Sequence, residues 1–192
     1  MPIYATPGAT FTPAPAGLHQ GACCDVVDLG VVEVTYPGTP TKRQHKIRVV
    51  WQLDAIGDDG KRATVSKRYT LSLHEKSGLR KDLESWRGKA FTPAELAPPG
   101  FDIERLLGAN AQINVTHTDK AGTTYANVTG IVPLGKGMVK IGVDGYIRVK
   151  DREPNGPDDE QAPIEDEDPI PFAWLLPLMV PALGMLSAML SA

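Results

Sequence analysis

Cysteine is nearly absent. The 192 residues hold two, Cys23 and Cys24, side by side. Adjacent positions on a strand point to opposite faces, so no disulfide is expected between them. Neither has a second cysteine or a histidine at metal-ligand spacing. This excludes a disulfide-stapled scaffold and a zinc module, and it fits a reducing compartment. His45, His74 and His117 lack metal spacing among themselves. Gly135-Lys136-Gly137 is too short for a phosphate loop, and Ser77 and Ser85 stand in no nucleophile elbow. Asp25 and Asp28, three apart on a strand, cannot converge as a carboxylate pair. The chain reads as non-enzymatic, with no cofactor and no metal. The N-terminus shows no basic region followed by an apolar run, so no secretory leader is expected. Aromatic residues are scarce too, at 6%, which makes each one worth placing.

What is abundant is turn-forming residues and segregated charge. Gly (19) and Pro (17) are high for a helical protein and point to strands, turns and irregular ends. The net charge of -3 conceals an asymmetry. Residues 1–150 carry 19 Lys and Arg against 14 Asp and Glu, a balance of +5. Residues 151–172 carry Arg152 against nine acids, a balance of -8, and the last 20 residues carry no charge. That split suggests a nucleic-acid-binding body with an acidic interaction tail, and the competing reading is a neutral domain with a solubilising tail.

Four regions follow: a lead-in over 1–20 rich in Pro, Ala, Thr and Gly and expected to be disordered, a folded domain over 21–150, an acidic disordered tail over 151–172, and an apolar segment over 173–192. Within the domain, residues 22–35 are β-rich, with Gly30 marking a bulge or bend. Residues 44–54 alternate, with Ile47, Val49, Trp51 and Leu53 on one face and Lys46, Arg48, Val50 and Gln52 on the other. Asp58-Asp59-Gly60 signals a hairpin. Residues 63–73 alternate again, Val65, Lys67, Tyr69, Leu71 and Leu73 opposite Ser66, Arg68, Thr70 and Ser72. The period then becomes helical over 77–87, where Leu79, Leu83 and Trp86 form a stripe ended by Gly88. Thr92-Pro93-Ala94-Glu95 reads as a capping box opening a short helix, and 102–107 as a further helical turn. Strands over 112–118 and 123–134 follow, then an extra hairpin over 138–150 around Asp144-Gly145. Three strands, a helical connection and two strands is the order of a mainly β, five-stranded OB-fold barrel with its helix between strands three and four. An SH3-like barrel is the structural competitor.

A single-strand binder combines cations that track phosphates with aromatic platforms for bases. The cations here cluster on the hairpin of strands two and three: Lys42, Arg43, Lys46, Arg48, Lys61, Arg62, Lys67 and Arg68. The competing reading is an ordinary solvated strand face. Trp51, Trp86 and Tyr69 share faces or stripes with core residues, so Tyr125, beside Asn127 and Thr129, and Tyr36, in a turn, are the better stacking candidates.

The tail ends in Glu165-Asp166-Glu167-Asp168-Pro169-Ile170-Pro171-Phe172, which resembles the tip of bacterial single-stranded DNA-binding proteins. The body resembles a family of phage proteins taken to bind single-stranded DNA. The likeness runs through "FTPAPAGLHQ" (11–20), "DVVDLG" (25–30), "KRYTLSLHEKSGLRKDLESWRGKAFTPAEL" (67–96), "FDIERLLG" (101–108) and "NVTHTDKAGTTYANV" (114–128). The resemblance implies binding of single-stranded DNA without sequence preference during phage replication or recombination, in the cytoplasm of a bacterial host. It also implies recruitment of replication and repair proteins through Asp166, Glu167, Asp168, Pro169, Ile170, Pro171 and Phe172. In the bacterial proteins that Phe is the last residue, whereas here Ala173 to Ala192 follow it. Those residues are long enough to span a bilayer, though Pro177 and Pro181 interrupt them. A membrane anchor, a self-packing or oligomerising segment and an accidental reading-frame extension are the three readings. A protein-interaction adaptor, tethered to a membrane or free, is the alternative function.

Overall fold

The structure, a computed structural model, describes residues 12–35, 38, 40–120 and 122–152. Five antiparallel strands dominate it: β1 (Gly17–Val34), β2 (Lys42–Ile56), β3 (Arg62–Thr70), β4 (Asn110–Lys120) and β5 (Thr123–Pro133). Their order in the sheet is β3-β2-β1-β4-β5. Between β3 and β4 come helix α1 (Gly78–Arg87), the single-turn helix α2 (Pro93–Leu96) and a 3-10 turn at Ile103–Leu106. The protein is therefore mainly β, with its helical insert where the alternation breaks.

β1 is long enough to bend because it bulges twice, between Cys23 and Asp25 and between Asp28 and Gly30. Gly30 takes a left-handed conformation there, φ 71°, which a side chain would oppose. Its N–H is received by the Asp28 carboxylate at 2.8 Å. β1 begins at Gly17, so four residues assigned to the lead-in belong to the sheet. The stretch before it is tied down as well. Ala14 is buried and its carbonyl meets the His117 ring, while Thr12 donates to Asp58.

The core lies on one face of the sheet and follows the alternation. Val49, Trp51 and Leu53 of β2 and Val65 and Tyr69 of β3 are buried with Ile113, Val115, Val128 and Ile131 of β4 and β5. The α1 stripe of Leu79, Leu83 and Trp86 covers them. Ser77 caps this helix and Gly88 ends it at φ 66°. The Trp86 and Trp51 rings stand 5.7 Å apart, and Trp86 Nε1 donates to the Asn110 carbonyl. At α2 the Thr92–Glu95 capping box is formed in both directions, with Pro93 in the first turn.

Two expectations fail. The sheet does not close into a barrel: the ladders end at β3 and β5. These two edge strands approach each other directly, and α1 packs against both. It is held to β3 by Tyr69 Oη and Lys67 Nζ on the Asp82 carboxylate, and to β5 by Ser85 Oγ on the Ile131 carbonyl. Helix side chains thus tie to both edge strands where no backbone ladder joins them. Nor do residues 138–150 form a hairpin. They run as an irregular strap over the outer face of the sheet. Its backbone is satisfied by strand side chains: Gln52 exchanges two hydrogen bonds with Asp144, Asn110 brackets Ile141, Gln20 reaches Val139 O and Arg62 reaches Gly142 O. Asp144-Gly145 does turn, with Gly145 at φ 63°, but no partner strand follows among the described residues. Among the described residues no helix is long and apolar enough to cross a membrane. The acidic tail beyond Arg152 and the apolar segment over 173–192 lie outside the described residues.

Candidate nucleic-acid interface

The pleat of β2 separates its side chains by function. Ile47, Val49, Trp51 and Leu53 enter the core, while Lys42, Gln44, Lys46, Arg48, Val50 and Gln52 lie on the outer face. Register with β3 places Arg48 directly opposite Arg68 and Lys46 opposite Thr70. On the β1 side the same rows continue to Val27 and Gly30. Like charges directly opposite one another destabilise a strand pair unless negative charge offsets them. Arg48 Nε is buried and makes no hydrogen bond. Lys46 is 5% exposed, so it lies along the sheet instead of projecting into solvent.

The other sequence candidates separate. Lys42 and Arg43 are exposed at the start of β2, opposite Val34 and Glu33. Lys61 lies at the β2–β3 turn, where its N–H bonds Asp59, and Arg62 is committed to the strap. Lys67 is on the core side, paired with Asp82 at 3.1 Å, so its charge fastens α1. Tyr125 lies opposite Thr118 on β5, which no ladder joins to β3, and it is not in the Arg48–Arg68 row. Tyr36 and the tip residues 166–172 lie outside the described residues.

A cluster that the sequence did not single out fixes one end of this face. Asp25 is 1% exposed, on the outer face of β1 opposite Val50. Its carboxylate accepts from Arg148 Nε at 2.9 Å, the Val149 N–H at 2.8 Å and Tyr146 Oη at 3.4 Å. The same Arg148 guanidinium forks onto Glu104 at 2.8 and 3.2 Å. Burial pushes the Asp25 carboxyl up, but the Val149 N–H and Arg148 outweigh it and hold the group below its ordinary value. Hydrogen bonds to Glu104 and then to Asp25 push Arg148 further up. Burial also pushes the Tyr146 hydroxyl up to about 12, so it remains a neutral donor. The signal available in the sequence was Asp25 itself, an acid set between Cys23-Cys24 and Val26-Val27 in the apolar part of β1.

Cys23 and Cys24 are both buried and free. Burial raises both thiols, Cys24 to about 12, which keeps them protonated and unreactive. Among the described residues, no group of three or more His, Cys, Asp or Glu side chains could hold a metal ion. No protein-family model matches this chain, and no curated protein matches it.

Proposed function

We propose that the chain binds single-stranded DNA without sequence preference on the outer face of β2 and β3, serving phage replication or recombination in a bacterial cell and acting without catalysis. The observation that carries this reading is the registered pair Arg48–Arg68 on the outer face. A string of phosphates is the kind of ligand that such a row suits, and Lys42 extends the row along the same strand face. The strand order β3-β2-β1-β4-β5 supports reading the open sheet as an OB-fold barrel, which is commonly partly open and binds oligonucleotides on its strand-two and strand-three face. The acidic tip at 165–172 would recruit replication and repair proteins, as the resemblance implies.

The test is fluorescence anisotropy of a labelled oligo-dT with the full chain at two salt concentrations. Binding should weaken with salt. Arg48→Ala with Arg68→Ala should flatten the dependence by about 0.7 in log–log slope for each phosphate that the variant no longer neutralises. No binding at low salt would reject the reading and leave the protein-interaction adaptor.

A further inference from the structure

Phosphate contacts alone leave a single-strand site incomplete, because bases freed from a duplex expose apolar faces that need a partner. Among the described residues, Trp51, Trp86, Tyr69 and Phe91 are buried in the core, and Phe101 packs edge-on against Phe91. Tyr125 and Tyr146 are the described aromatics outside it, and Tyr125, on β5 opposite Thr118, shares no ladder row with Arg48 or Arg68. Tyr146 is placed differently. Its hydroxyl reaches Asp25, which pairs with Val50. The next row on the same outer face is Val27–Arg48–Arg68.

We propose that Tyr146 is the base-stacking platform of this face, receiving an unpaired nucleobase while Arg48 and Arg68 hold the adjoining phosphates. This inference rests on the single-strand reading given above. The ring is held in advance of binding. On one side Asp144 is clamped to Gln52 by two hydrogen bonds of 2.7 and 2.8 Å. On the other, Arg148 and the Val149 N–H are fixed to Asp25. A platform whose rotamer and backbone are already restrained loses little entropy when a base stacks on it. The Arg152 guanidinium lies over one face of the ring, 5.6 Å from its centroid, with its Nη2 donating to the hydroxyl at 3.4 Å, so a base stacks on the opposite face or displaces it. A base stacks on an aromatic whatever its identity, so the site takes any unpaired base.

The test uses the full chain and oligo-dT carrying 5-iododeoxyuridine. Irradiation should crosslink the DNA to the peptide containing Tyr146. Tyr146→Phe, which keeps the ring, should bind within about 3-fold of the parent. Tyr146→Leu, which keeps bulk without the π-face, should bind roughly 5- to 150-fold more weakly with an unchanged salt slope. A matching melting temperature for the Leu variant excludes loss of the strap as the cause. If that temperature falls, the crosslink decides. Parental affinity in the Leu variant, or crosslinks that avoid Tyr146, overturns the platform. Failure of the parent to bind at all overturns the platform together with the single-strand reading. Weakening by Arg48→Ala and Arg68→Ala with no effect of Tyr146→Leu overturns the platform alone.

Discussion

Asp25→Ala removes the carboxylate on which the strap converges. The cost can be reckoned from the hydrogen bonds involved. Arg148 keeps its fork onto Glu104, a half-exposed partner, but its Nε–H loses an acceptor, as do the Val149 N–H and Tyr146 Oη. Breaking a buried ion pair by removing one partner costs about 3–5 kcal/mol. The surviving Glu104 pair puts this case at the lower end, about 3 kcal/mol, which for a domain of this size lowers the melting temperature by roughly 10 °C. Asp25→Asn retains an acceptor without the charge and should lose less. The acid limb gives an independent check. The Asp25 carboxyl is held below its unfolded value, so its contribution is complete above the ordinary carboxylate range and is lost as pH falls through its depressed value. The parent should therefore lose stability on acidification more steeply than Asp25→Asn. Thermal melts across pH, with hydrogen exchange of residues 138–152, measure both effects. Exchange should rise in the strap first, and the β2 amides should stay protected. A melting temperature within about 2 °C of the parent, with unchanged strap exchange, would refute the reasoning.

Trp86→Ala should destabilise the fold by about 3–5 kcal/mol, since it empties the α1 stripe and removes the Nε1–H bond to Asn110. Oligo-dT affinity per folded molecule should not change, and a variant that melts like the parent but loses DNA would contradict the core placement. Ending the chain at Arg152 should tighten oligo-dT binding at low salt and change it little at high salt. The acids of the tail are tethered to the same domain as the Arg48–Arg68 face, and screening removes their competition once the Debye length falls to about 10 Å. Equal affinities for the two chains at low salt would leave the tail no competitive role.

What was legible in the sequence was whatever a short window determines. The alternation of 44–54 gave the inner Ile47, Val49, Trp51 and Leu53 because a pleat has a period of two. The stripe of Leu79, Leu83 and Trp86 gave α1, and Thr92 with Glu95 gave the start of α2. The misses are all long-range. A run such as Met138 to Lys150, with Asp144-Gly145 in the middle, looks the same locally whether its backbone groups bond a neighbouring strand or side chains of distant strands. Here they bond Gln20, Gln52 and Asn110. The usable signal was on those strands: amide side chains at outward positions, each carrying both donor and acceptor. Closure of the barrel was unreadable for the same reason, because β3 and β5 approach each other without a ladder while α1 ties to both through Asp82 and Ser85. Charge composition located the cationic strands but not the fate of each cation. Lys67 and Arg68 are neighbours in sequence, yet the pleat sends one to Asp82 and the other to face Arg48.

The proposed site joins two distant parts of the chain, the β2–β3 cations and the strap tyrosine, and Asp25 is the group that fixes the strap to the sheet. Tyr146, Arg148 and Val149 all bond that one carboxylate, so order in the strap and presentation of the ring form a single equilibrium. Substitutions at Asp25 and Tyr146 should then fail to add when oligonucleotide affinity is measured, because residues in one hydrogen-bond network are energetically coupled. Arg48 bonds nothing in that network through its Nε and acts on Tyr146 through its charge, so its coupling to either one should be the weaker. Coupling stronger between Asp25 and Tyr146 than from either to Arg48 would separate a positioned platform from a general effect of charge on the face. A change of charge alone would couple Asp25 to Arg48 and leave Tyr146 independent.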